Sequence, residues 1–217
     1  MRPATALSRA PEKRRGTART AGDLASLGDE GGTAALTPYT AVASSQYQQL
    51  MRANSSGYDL HLAKRVSDLA YSMISRIAPG KGVRSIPEAE LPERFRRMRT
   101  LADGSLRRDA TTVYYRLATD LPAYTITCYF TNVSSGAFTH PRENRALTIR
   151  EAARLQSFPD SFQFALPNVK RHIGNAVPPM LARAIAEHIL RSNNSIAAVA
   201  HQSSQKLARQ LRLIEAV

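Results

Sequence analysis

Across 217 residues there is one cysteine, no tryptophan, and only 6% aromatic residues in all. A single thiol excludes an intramolecular disulfide framework and a cysteine-cluster metal site, and it suits a reducing cytoplasm. Acidic residues are scarce too, 17 against 30 Lys and Arg, leaving a formal net charge of +13. An excess of that size attracts polyanions, meaning nucleic acid or an anionic membrane surface. The membrane is the poorer choice, because no run approaches the roughly 20 apolar residues of a spanning helix. The N-terminus lacks the apolar core of a secretory signal. No internal repeat is present. At 43% hydrophobic residues the chain can nonetheless bury a core, in one or two domains.

Four zones differ in character. Residues 1–22 are basic, rich in Ala, Arg and Thr, and without apolar period, which reads as a disordered arm. Residues 23 to about 56 are small and polar, with one short helix near Gln46–Arg52. From His61 to Ile77, the spacing of Leu62, Val66, Leu69, Met73 and Ile77 predicts a helix, which Pro79, Gly80 and Gly82 then break. Between Thr111 and Phe138, "TTVYYRL" and "AYTITCYF" are β-branched and aromatic, and predict strands divided by Asp120-Leu121-Pro122. Cys128 falls in the second and reads as a buried apolar thiol.

The segment "RALTIREAARLQSFPD" (145–160) carries its own helix signals. Thr148 is a good N-cap, Glu151 completes a capping box, and Pro159 stops the helix. Further on, "RHIGNAVPPMLARAIAEHI" (171–189) sets Gly174 and Asn175, which tolerate unusual dihedrals, ahead of two prolines. Pro179 suits a first helical turn. Met180, Leu181, Ala184, Ile185, His188 and Ile189 then form an apolar face opposite Arg183, Glu187 and Arg191. Taken alone, this is a tight turn before a helix that packs on something.

Together, these two segments resemble the last two conserved motifs of the DNA cytosine-5 methyltransferases, in order and at the usual short separation. Upstream, "YYRLATDLPAYTITCYFTNVSSGAFTHPRENR" looks like the end of that family's target recognition domain, "RIAPGKGVRSIPEAELPERF" like an earlier part, and "AGDLASLGDEGG" like the segment entering it. The resemblance covers about residues 21–192. It implies an α+β fold: a small mixed target recognition domain over 23–140, the two motifs over 141–192, and a tail over 193–217 with a possible helix. The returning C-terminal helix would pack on a Rossmann-like S-adenosylmethionine domain that these residues lack. By the same resemblance, Gly174, Asn175, Ala176 and Val177 would line the S-adenosylmethionine pocket, shared with the catalytic half. Thr125, and second Thr127, would lie near an extruded base, with Ser134, Ser135 and Gly136 beside the groove of double-stranded DNA. Arg97, Arg99, Arg107 and Arg108, within dense Arg clusters, are candidates for phosphate contact, each adding about 0.9 to the log–log salt slope.

The family's nucleophile, a cysteine between Pro and Gln whose thiolate adds to C6 of a flipped cytosine, has no counterpart here. Nor does its Glu-Asn-Val with an Arg-x-Arg motif beside it, nor its Phe-x-Gly-x-Gly cofactor loop. Glu143-Asn144 is followed by Arg145 and belongs to the helix lead. "PGKGVRS" lacks P-loop spacing, and His61, His140 and His172 lack metal spacing. No catalytic residue and no metal ligand is therefore assigned. Three readings follow: the C-terminal portion of a bacterial, cytoplasmic restriction–modification enzyme working with an N-terminal methyltransferase half; an inactive remnant; or a non-catalytic DNA-binding module. In each, the pure chain transfers no labelled methyl from S-adenosylmethionine to mixed-sequence DNA. Turnover that Cys128→Ala abolishes would overturn the structural reading of that thiol.

Overall fold

The helix signalled by Thr148 is the hub around which the other elements collect. The structure, a computed structural model, describes residues 16–99, 101, 103 and 112–193. Its elements, in order, are α1 (Thr17–Ala21), β1 (Gly31–Thr33), β2 (Thr37–Pro38), α2 (Gln46–Arg52), β3 (Gly57–Tyr58), β4 (His61–Ala63), α3 (Asp68–Ile74), α4 (Glu93–Arg99), α5 (Ile149–Leu155) and α6 (Val169–Asn175). A further helix, α7, spans 179–193. Mixed helices and two small antiparallel ladders, β1 with β4 and β2 with β3, make up the fold. One compact unit runs to Ala176 and a second begins at Val177.

In α5 the Thr148 hydroxyl accepts from Glu151 N while the Glu151 carboxylate accepts from Thr148 N, so the expected capping box is formed. Ala152 and Ala153 are fully buried and let neighbouring backbones approach closely. Around them lies a core of Leu117, Ile126, Phe130, Phe138, Leu147, Val169 and Ile173. That core draws on residues from both sides of position 140, so no packing boundary separates the two segments there. A second core joins Met73, Ile74, Ile77, Val83, Ile86, Leu91 and Phe95, with Tyr114 set edge-on to Phe95 at 5.3 Å.

Several expectations change. Residues 17–21, inside the supposed disordered arm, form α1, and Thr17 and Thr20 are buried; residues 1–15 lie outside the described residues. The span 61–77 is a strand followed by a helix. Ser67 caps α3 by accepting from Ala70 N at 3.3 Å, so the helix begins there, while β4 turns His61 and Ala63 inward and Leu62 outward. The strands expected between 111 and 138 are absent among the described residues, where only isolated bridges pair Arg116 with Thr139 and Thr139 with Ala146. Burial nonetheless alternates along this segment: Ile126 and Phe130 are buried, Thr127 and Tyr129 exposed. It reflects an extended segment lying on a core, closed by local bonds such as Phe130 N to Thr127 O, with no partner strand. Cys128 accordingly sits half-buried in a turn.

Close approach fixes the β1–β4 edge. Gly32 has φ +83°, and a Cβ there would also run into Leu27. Across the second core, Arg116 is 4% exposed, and its guanidinium donates to Ile77 O and Ile74 O at 2.6 Å. It also donates to Asn144 Oδ1 at 2.7 Å and to the carbonyls of His140 and Glu143 at 2.8 Å. The carbonyls at the end of α3 are thus satisfied by a cation, which is also favourable for the helix dipole. Arg116→Met would strand those acceptors, and urea denaturation should show a loss of at least about 3 kcal/mol. A loss under about 1 kcal/mol would mean that the carbonyls are satisfied without it.

Candidate functional site

Gly174 and Asn175 do not form a tight turn. Val169 and Ile173, four residues apart, are both buried, and that spacing carries α6 on through Asn175. The chain leaves helical geometry at Ala176, which is extended, in a stretch leading to Pro178. Gly174 is there for contact. A Cβ on it would lie 2.6 Å from Thr127 C and 2.7 Å from Cys128 Cα, so the backbone of residues 127–128 presses on this helix. Gln156, at the C-terminal end of α5, sits between the same two segments. Its amide donates to Ile173 O at 3.2 Å and reaches Ile126 O at 3.5 Å.

The candidates thus separate into groups. Thr125 and Thr127 are exposed on the segment that touches Gly174, and Asn175 is exposed at the end of α6. Ala176 is half-buried, while Val177 opens the second unit and is 61% exposed. Ser134 and Ser135 form a 3-10 turn, Val133–Ser135, whose N-cap Asn132 accepts from Ser134 N. Gly136 is buried against Phe138. Arg97 is exposed on α4 and pairs with Glu93 at 3.1 Å, a surface pair worth about 0.3–0.5 kcal/mol. Arg99 ends α4, and Arg107 and Arg108 lie outside the described residues.

The buried charges around α5 escaped the sequence reading. Arg150 donates to Asp59 O at 3.2 Å and pairs with the Asp59 carboxylate. Arg154 forks onto Asp160 at 2.9 and 2.6 Å and also pairs with Asp23, which Arg52 holds from the other side. Arg145 forks onto Glu151 at 2.8 and 2.7 Å and reaches Glu143 at 2.6 Å. The one available signal was Arg at 150 and 154, a helical turn apart on one face of the predicted helix. A cleft of about 300 Å³ opens beside this cluster, lined among others by Ser26, His140, Glu143, Leu147 and Glu151. Its acidic groups are already satisfied, Glu143 by Ser26 and Arg145, Glu151 by Arg145 and Thr148 N. No described group of His, Cys, Asp and Glu could hold a metal ion.

These pairings set the acid response. Burial alone would raise the Glu151 pKa, but hydrogen bonds and charge from Arg145 outweigh it and bring the group to about 2. Burial lowers the His140 pKa, against the opposing pull of Glu151. Both groups therefore bind more protons unfolded than folded, and stability falls as pH drops. The His140 contribution fades below the ordinary imidazole value. The Glu151 contribution, roughly 3 kcal/mol, fades between its unfolded value of 4.5 and about 2. Glu151→Gln should be less stable at neutral pH and lack the lower step in acid denaturation. An unchanged acid limb would contradict the pairing.

Comparison with known proteins adds to this geometry. The family model described as C-5 cytosine-specific DNA methylase matches residues 31–191. The type II methylase M.HgiDII of Herpetosiphon aurantiacus is 38% identical over 141 residues, 62% of this chain and 38% of that protein. The type II methyltransferase M.AgeI of Thalassovita gelatinovora is 30% identical over 185 residues, 66% of this chain and 43% of that protein. The DNA (cytosine-5-)-methyltransferase M.ApeKI of Aeropyrum pernix is 39% identical over 107 residues, 48% of this chain and 22% of that protein. The aligned part thus spans less than half the length of each of these relatives.

Proposed function

The chain belongs to the C-5 cytosine-specific DNA methylase family, and from that premise we propose that these residues supply target recognition and one wall of the S-adenosylmethionine pocket for methylation of cytosine at C5 in duplex DNA. The setting we propose is a restriction–modification system; the relatives are named as a type II methylase and a type II methyltransferase. One observation carries the reading. The segment bearing exposed Thr125 and Thr127 and the helix bearing exposed Asn175 pack on one core and meet at Gly174.

The groups at the end of α6 fit one edge of a polar cofactor: an exposed carboxamide on Asn175, and backbone running extended from Ala176. No described residue hydrogen-bonds the Asn175 side chain, so its donors and acceptor are available. S-adenosylmethionine, when bound, supplies the methyl group. The attacking thiolate and the glycine-rich loop come from sequence outside these 217 residues. Thr125 and Thr127 would steady the backbone around the extruded cytosine, and Ser134, Ser135 and Gly136 would border the groove. Arg97 can turn to a phosphate at small cost, because its pair with Glu93 is exposed. On α7, Leu181, Ile185 and Ile189 are each about half exposed, and the cofactor-binding sheet is proposed to cover them.

Two measurements test this. Selection from a randomised duplex pool by the chain should enrich a consensus containing cytosine, and no enrichment would remove the recognition role. In an assembly completed by a polypeptide carrying the missing motifs, Asn175→Ala should weaken S-adenosylmethionine binding by roughly five- to a hundredfold, one buried hydrogen bond's worth. Unchanged affinity in a complex that methylates would remove Asn175 from the pocket.

A further inference from the structure

We propose that Gln156 and Gly174 are positioning residues that lock the 125–128 segment to α6, so that the recognition segment and the Asn175 end of the helix are set in one register. The inference rests on the recognition role proposed above. Neither residue is placed to touch DNA. Gln156 is 9% exposed, and its one amide nitrogen serves Ile126 O in the segment and Ile173 O in α6. Among the described residues no ladder bond holds residues 122–127 and no strand pairs with them. Among the described hydrogen bonds, the contact from Gln156 is the one that reaches the Ile126 carbonyl, and Ile126 is buried. Gly174 makes the second contact between the segment and α6. Its missing side chain lets the 127–128 backbone rest directly on the helix, and any Cβ would push that backbone away. Thr125 and Thr127 flank the anchored Ile126, so a shift at the anchor moves both exposed hydroxyls together.

The single cysteine reports on this linkage, because Cys128 lies on the anchored segment and is half-buried. Gln156→Met preserves length and bulk but removes the donor, whereas Gly174→Ala inserts the obstructing methyl. In the full chain, with unchanged helix content by circular dichroism, each variant should raise the rate of Cys128 labelling by a fluorescent maleimide about tenfold, the effect of one lost hydrogen bond. Affinity for the duplex enriched by the wild-type chain should fall about as much, whereas affinity for a scrambled duplex, set by phosphate contacts, should not change. A purely structural role would not separate those two affinities. Should Gly174→Ala fail to fold, the milder Gln156→Met still decides. Unchanged labelling overturns the linkage. Faster labelling with an unchanged specificity ratio overturns the positioning role. A wild-type chain that enriches no consensus overturns the recognition role itself, and the labelling rates then report on the linkage alone.

Discussion

Everything in the first unit hangs on three arginines buried beside α5. Arg145, Arg150 and Arg154 are each 1% exposed or less; carboxylates from distant parts of the chain meet Arg150 and Arg154, and the nearby Glu143 and Glu151 meet Arg145. Arg154 joins Asp23 across 131 residues, and Arg150 joins Asp59 across 91. Burying such charges costs desolvation that mutual attraction only partly offsets, so their net contribution to stability is small. Removing one partner is another matter, costing about 3–5 kcal/mol because a charge is left buried and alone. The arrangement therefore penalises every packing in which residues 23 and 59 are elsewhere. Its effect is on which fold forms, more than on how stable the fold is.

With those anchors made, the rest is placed by ordinary burial. Asp160 accepts from Arg154 and from Tyr39 at 2.6 Å, and its backbone N donates to Met51 O at 2.7 Å, which ties α2 and the residues after α5 together. Ala152 and Ala153 leave room for Ile126 and Ile173 in one core. From there the extended segment before Cys128 and the last turn of α6 come into contact. The site is thus the outcome of a charged anchor on one face of α5 and small residues on its other face.

How much of this could be read from sequence depends on the range of the interaction. Local signals were reliable: the Thr148–Glu151 capping box, the short helix over Gln46–Arg52, and a helix beginning at Pro179 are all present. Signals that needed a partner were not. The β-branched and aromatic residues of "AYTITCYF" predicted a strand, yet among the described residues no strand pairs with that segment. Gly174 and Asn175 looked like turn residues, yet the glycine serves a backbone contact 46 residues away that spacing cannot reveal. Arg116 carried no signal in the sequence and is a buried clasp for five acceptors. The family was legible because its motifs are contiguous, whereas the buried charge pairs join residues scattered along the chain.

The central claim is that the 125–130 segment, α5 and α6 form one cooperative unit held by the buried arginines. Native-state hydrogen exchange across a denaturant series tests it most directly. The amides of Phe130, Gln156 and His172, which donate to Thr127 O, Ala152 O and Asn168 O, report on the three pieces. The account predicts that they converge on a single opening free energy as denaturant rises. If Phe130 or His172 opens in a separate, lower-energy step while Gln156 stays protected, the 125–130 segment and α6 are not one unit with α5, and the account is contradicted.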